Sequence, residues 1–267
     1  MSAPNERYTH GHHPSVIRSH SWRTVQNSAA YLIPHLAPGL RLLDIGCGPG
    51  TVTVDFADRL APGSVVGLDA APAIIEQASA LGGSRANVEF VVGDAYDLEF
   101  DDDSFDIVHA HQVLQHLSRP VEVMRELRRV VKPGGIVAVR EVDYAGTVWY
   151  PELPGLDAWM STYQAVHRSN GGEPDAGRRL LSWARAAGFA EVTASASVWC
   201  FASDVDREWW GGMWAQRVLE SAFAADAVAG GFAARPDLEH ISTAWKTWTA
   251  DPDGVLMMPH GEVICRG

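Results

Sequence analysis

The sequence predicts an α/β fold: a doubly wound, mostly parallel sheet of seven strands with helices on both faces, plus helical cap elements at the N-terminus and in the C-terminal half. Three observations carry this expectation. Short apolar runs alternate with helix-spaced segments from about residue 40 to 145. A glycine-rich octapeptide, Leu43 to Gly50, sits between the first such run and the first helical segment. Two further extended stretches, 191–202 and 255–265, follow after the alternation ends. Strands that alternate with helices form a parallel sheet covered on both sides. Right-handed crossovers leave few topologies, and ligands then sit outside the carboxyl ends of the strands.

Residues 16–37 carry Val16, Ile17, Ala29, Leu32, Ile33 and Leu36 at helical spacing and stop at Pro38-Gly39, which predicts a helix. Leu42 to Ile45 is a buried strand ended by glycines, followed by a helix over 51–60. Ser64 to Asp69 is the second strand, 72–81 the second helix, and Val88 to Val92 the third strand. Phe105 to Ala110 is the fourth, then a helix over 119–131 with apolar Val121, Met124, Leu127 and Val131, then a fifth strand from Gly135 to Val142. The second half is less regular. Residues 145–173 hold Trp149, Tyr150, Trp159 and Tyr163; 175–187 reads as a helix and 204–250 as helical. No linker is long enough to mark a second domain, so residues 1–267 form one domain.

Composition narrows the partners. The chain has 267 residues, 46% of them apolar, enough for a full hydrophobic core. Its formal net charge of -12 argues against non-specific nucleic-acid binding and against an anionic membrane surface. Cys47, Cys200 and Cys265 have no framework spacing, and no apolar run has the length of a signal peptide or membrane span, so a reducing cytoplasm is expected. His10, His12 and His13 lack matching acidic or cysteine ligands, and no metal is expected.

The strongest chemical signal is Leu43-Asp44-Ile45-Gly46-Cys47-Gly48-Pro49-Gly50. Glycines there permit close approach of a ligand to the main chain and to a helix N-terminus. The spacing is G-x-G-x-G, whereas dinucleotide enzymes use G-x-G-x-x-G. Asp44 would repel a pyrophosphate but suits the ammonium of an amino-acid cofactor. Asp69, at the end of the second strand with Ala70 after it, is placed to accept hydrogen bonds from a ribose diol. Asp94 with Ala95 follows the third strand, where a carboxylate suits the amino group of adenine.

These three signatures, with Leu127 to Gly135 before the fifth strand as a fourth, resemble the class I S-adenosylmethionine (SAM) methyltransferases of the UbiE-like, methyltransferase type 11 group, whose fold is Rossmann-like. The resemblance covers roughly residues 40–145. It implies that Asp44, Gly46, Gly48 and Gly50 hold the methionine part of SAM, that Asp69 holds the ribose, that Asp94 and Ala95 hold the adenine, and that His111 and Gln112 lie near the sulfonium. A second resemblance, to bacterial and fungal secondary-metabolite methyltransferases, rests on Tyr8 to His12, Ser19 to Leu32, and Pro259-His260-Gly261-Glu262-Val263. It implies that residues 1–37 form a cap over the cofactor, with Arg23 toward the cofactor carboxylate. It also implies a core over 38–145 and substrate-cap insertions at 146–173 and 204–250.

The expected reaction is methyl transfer to a small apolar or aromatic acceptor by in-line displacement. The aromatic side chains of the irregular segments suit a lid over such an acceptor. Where the acceptor must lose a proton, the candidate bases are His111, then Glu141 or His10. A nicotinamide oxidoreductase on the same sheet and a non-catalytic SAM-binding module are the competing readings.

Overall fold

The computed structural model describes Thr9 and residues 22–266. Five parallel strands form the centre of the sheet: β1 (Arg41–Ile45), β2 (Ser64–Asp69), β3 (Val88–Val92), β4 (Phe105–His111) and β5 (Val131–Val142), lying in the order β3-β2-β1-β4-β5. The last strand, β8 (Val255–Arg266), runs antiparallel beside β5, and β7 (Glu191–Phe201) runs antiparallel along its other edge. Among the described residues, β8 is the strand that runs against its neighbours. These are the seven strands read from the sequence. An eighth, β6 (Val148–Tyr150), pairs with Val255–Met257 of β8 on the edge that β5 leaves open. Three residues are too short to register as a period, which is why β6 was not legible.

The helices on the sheet are α1 (Val25–Ser28), α2 (Thr51–Leu60), α3 (Pro72–Gly82), α4 (Pro120–Val130) and α6 (Leu180–Ala186). Prolines open α3 and α4, where their fixed φ fits the first turn and the missing N–H is not needed. Alternate residues of β4 feed different layers, as the two-residue strand period requires. Ile107 packs with Val25, Leu32 and Phe56 on one face; Val108 packs with Met124, Leu127 and Leu180 on the other.

The N-terminal stretch is not the single helix its spacing predicts. Thr24 caps the four-residue α1 in a reciprocal capping box with Asn27, and a tight turn of 3-10 type covers Ala30–His35. Pro34 lies inside that turn and supplies no N–H for a continuing α-helix. Residues 16–21 of the expected helix lie outside the described residues.

The second half builds a helical layer. It comprises α5 (Pro154–Ser169), α7 (Asp204–Glu220), α8 (Ala222–Ala229) and α9 (Arg235–Ala250). Ser203 starts α7 through a capping box with Asp206. Trp159, Trp214 and Trp245, all fully buried, join α5, α7 and α9 in one core, with centroids of Trp159 and Trp245 4.9 Å apart. The 204–250 segment is therefore helical, as expected, but divided in three. Among the described residues no helix is long and apolar enough to cross a membrane.

Candidate active site

The glycine loop leaves β1 at the carboxyl edge of the sheet. Gly46, Gly48 and Gly50 have φ of +62°, +55° and +86°, the left-handed region that an L side chain rarely enters. A Cβ on Gly46 would stand 2.4 Å from a methyl of Val113, so this loop is pressed against the loop that follows β4. Cys47, between the glycines, is buried, and burial pushes its thiol well above the usual range. It is a packing residue, not a nucleophile.

Asp69 ends β2 beside this loop. One carboxylate oxygen accepts from the Gly48 amide at 3.1 Å and the other from the Ala71 amide at 3.0 Å. A carboxylate has lone pairs beyond those two. Ala70 is exposed next to it. Asp94 follows β3, accepts from the Tyr96 amide at 2.9 Å, and stands with Ala95 half-buried. The structure thus brings Gly46 to Gly50, Asp69 and Asp94 together along the carboxyl ends of β1, β2 and β3.

Asp44, at the mouth of the loop, has partners within the fold. It is 3% exposed; Oδ2 accepts from Thr53 Oγ1 at 2.6 Å, and Oδ1 lies 2.7 Å from His109 Nδ1. Both oxygens are engaged by α2 and β4, so the side chain ties the strand to its flanking elements. These contacts hold the end of β1, from which the glycine loop departs.

The end of β4 collects the reactive groups. His111 is 6% exposed, and neither ring nitrogen has a hydrogen-bond partner. Its ring meets the edge of Trp199 at 5.6 Å and lies 6.1 Å from His260. Gln112 follows at φ +55°, with its amide N–H bonded to the Arg140 carbonyl. Gln112 Oε1 accepts from Arg23 Nη2 at 2.6 Å, and its Nε2 lies 2.8 Å from His260 Nε2. The Arg23 guanidinium sits 5.7 Å over Trp199, whose indole N–H bonds to the Asn27 carbonyl at 2.6 Å. The N-terminal segment is therefore clasped to β4, β7 and β8 at this point. Trp22 extends the clasp, 5.2 Å from both Trp199 and Trp209.

Glu141, put forward by the sequence as a base, lies beneath the loop after β4. It is fully buried, and its oxygens accept from the amides of Val113 at 2.9 Å, Leu114 at 2.8 Å and Gln115 at 3.4 Å. That geometry holds the loop and leaves Glu141 no open face. His10 lies outside the described residues, as do His12 and His13. His116 stacks on His167 at 5.0 Å, and His167 bridges the Tyr163 hydroxyl and the Gln115 carbonyl, at 3.0 and 2.7 Å. This second imidazole pair joins the loop after β4 to α5.

Four of these histidines, His111, His116, His167 and His260, favour the neutral form. Burial, assisted for His111 by Arg23 and Arg140, holds His111, His116 and His260 well below the usual imidazole range, and lowers His167 to about 4. Burial pushes Glu141 up to about 8 against the pull of its three backbone amides. Sequence reasoning missed His109, Trp199 and His260 as members of this site. His109 and His260 each lie on strands where only the tertiary pairing shows what they face. No group of His, Cys, Asp and Glu that could hold a metal ion occurs among the described residues.

The residues fit an adenosyl amino-acid cofactor. The glycine loop brings bare backbone to the edge of the sheet, the Asp69 carboxylate stands at Gly48, and His111 presents two buried, unpartnered nitrogens beside them in the sheet.

Comparison with known proteins agrees with this geometry. The profile described as "Methyltransferase domain" matches residues 43–139. An uncharacterized methyltransferase of Schizosaccharomyces pombe is 35% identical over 100% of this chain and 99% of its own length. A demethylmenaquinone methyltransferase of Clavibacter sepedonicus is 33% identical over 67% of this chain and 75% of its own. The solved YcgJ protein of Bacillus subtilis shares the fold, with a TM-score of 0.60 at 20% identity over 90% of this chain and 98% of its own.

Proposed function

The chain belongs to the SAM-dependent methyltransferases, and we propose that it methylates a small, apolar or aromatic organic acceptor held against the end of β4. The observation that carries this reading is His111: a buried imidazole with both nitrogens unpartnered, at the carboxyl edge of the sheet and ringed by Trp199, His260 and Arg23. Buried polar groups ordinarily find partners, and a bound ligand is the partner that this position supplies.

SAM, when bound, supplies a methyl carbon electrophilic enough for in-line displacement. The protein's own part is alignment, exclusion of water and management of one proton. Gly46, Gly48 and Gly50 offer backbone to the methionine part, Arg23 and Gln112 its polar end, Asp69 with Ala70 the ribose, and Asp94 with Ala95 the adenine. Asp44 keeps the loop in place through Thr53 and His109. Glu141 does the same for residues 113–115. His111, neutral, accepts a proton at a ring nitrogen where the acceptor is an acid. Trp22, Trp199 and Trp209 wall the approach from the side of the N-terminal segment. A substrate-cap role for 146–173 and 204–250 is supported by the aromatic core they share, where Trp159 lies 4.9 Å from Trp214, and by Trp210, which lies 5.6 Å from Trp209 of the wall.

Transfer of a labelled methyl group from SAM to a panel of phenols, enols and amines tests the reading. Label in any organic product, with S-adenosylhomocysteine released in equal amount, supports it. Tight SAM binding with no transfer to any acceptor favours a non-catalytic SAM-binding module.

A further inference from the structure

His260 is fully buried on β8 and has a defined hydrogen-bond direction. Its Nδ1 lies 3.0 Å from the Met258 carbonyl, which can only accept, so Nδ1 carries the proton. In the neutral ring Nε2 is then an acceptor. Gln112 must therefore turn its NH2 toward His260, across 2.8 Å, and its oxygen toward Arg23, across 2.6 Å. With the amide turned the other way, its oxygen would face the lone pair of Nε2 and its NH2 would face the guanidinium. Both contacts would be lost. The chain of bonds runs one way, from Arg23 N–H through Gln112 and His260 to the Met258 carbonyl.

Two further features keep this chain from being a loose surface contact. Gln112 holds a left-handed backbone conformation, at φ +55°, that a glutamine adopts only when its surroundings impose it. The His260 ring is fixed by Trp199 at 4.4 Å, the same indole that carries Arg23 on its face and bonds to Asn27.

We propose that His260 is a positioning residue: it sets the direction of the Gln112 amide and thereby latches the N-terminal segment, through Arg23, over the end of β4. The inference rests on the reading of Arg23 and Gln112 as part of the cofactor site only for its effect on affinity. The latch itself is independent of that reading.

The test compares His260→Ala, His260→Gln and Gln112→Ala in the full chain. Limited digestion with trypsin reads the latch, by the rate of cleavage after Arg23, seen as a new N-terminus at Thr24. Titration with S-adenosylhomocysteine reads the site. Glutamine carries an oxygen near the place of Nε2 and can accept the same bond. The expected result for His260→Ala and Gln112→Ala is cleavage faster by about tenfold, the scale of one lost buried hydrogen bond, with His260→Gln close to the parent. Adding Gln112→Ala to His260→Ala is expected to give no further increase, since both break one chain. Wild-type cleavage in Gln112→Ala, which leaves the buried ring in place, overturns the latch. So does a His260→Gln protein that cleaves as fast as His260→Ala while melting with the parent, because then the ring and not its nitrogen matters. Faster cleavage with unchanged S-adenosylhomocysteine affinity upholds the latch and removes Arg23 from the cofactor site.

Discussion

Asp44 and His109 meet at 2.7 Å inside the sheet, the carboxylate 3% exposed and the imidazole fully buried. The pair joins β1 to β4, and Thr53 Oγ1 adds α2 at 2.6 Å. A residue at the mouth of the glycine loop thereby ties two strands and a helix together.

Asp44→Ala leaves Thr53 Oγ1 and His109 Nδ1 without their acceptor. Each buried group so orphaned costs about 1–3 kcal/mol. A loss of about 2–5 kcal/mol is expected in urea melts. Asp44→Asn, which keeps one accepting oxygen, is expected to lose less. Wild-type stability in Asp44→Ala combined with lost SAM affinity would show that the carboxylate serves the ligand directly.

Asp69 stands at the other side of the loop, partly exposed, with Gly48 and Ala71 on its oxygens. Asp69→Ala is expected to weaken SAM and S-adenosylhomocysteine by about 10- to 100-fold, the equivalent of one or two hydrogen bonds to a charged group. Calorimetric titration with both, and with NADH and NADPH as controls, measures it. Unchanged affinity would remove Asp69 from the ribose site.

His111→Ala is expected to slow turnover with little change in SAM affinity. Because burial and the nearby Arg23 hold the imidazole well below the usual range, it stays neutral at pH 6–8. Activity that depends on the neutral ring is therefore expected to show no acid limb near pH 6.5. An acid limb centred there that vanishes in His111→Ala would contradict the burial of this side chain.

Stability is expected to peak near neutral pH. His111, His116, His167 and His260 take up protons in the unfolded chain as pH falls through about 6.5, while the folded protein resists until far lower. The unfolded state then binds more protons, and stability falls with pH by about 1.4 kcal/mol per unit for each fully charged histidine. Glu141 acts in the opposite sense. Raised to about 8, it favours the folded state fully below its unfolded value of 4.5, and that contribution is lost as pH rises through 8. Denaturant midpoints across pH 5 to 9 are expected to fall steeply on the acid side and gently on the alkaline side. A midpoint that keeps rising down to pH 5 would mean that these imidazoles are solvated.

The amino-acid sequence by itself determined the strand–helix alternation, the seven long strands, the glycine loop, and Asp69 and Asp94 at the strand ends. All of these are local: apolar period, turn chemistry and position after a strand are written in consecutive residues. Only the tertiary structure decided which acids are shut inside the fold and which stay open to the surface. Asp44 reads as a site acid from its place two residues before Gly46, and Glu141 from its place at the end of β5. What distinguishes them from Asp69 is burial: partners from elsewhere in the chain close over Asp44 and Glu141, whereas Asp69 stays half-buried at the edge of the sheet. His260 was equally hidden, since it comes to Gln112 across a sequence distance of 148 residues through the pairing of β8 with β5. A carboxylate or imidazole has no fixed role in a sequence, because its partners and its access to water, which set that role, come from segments the fold brings together.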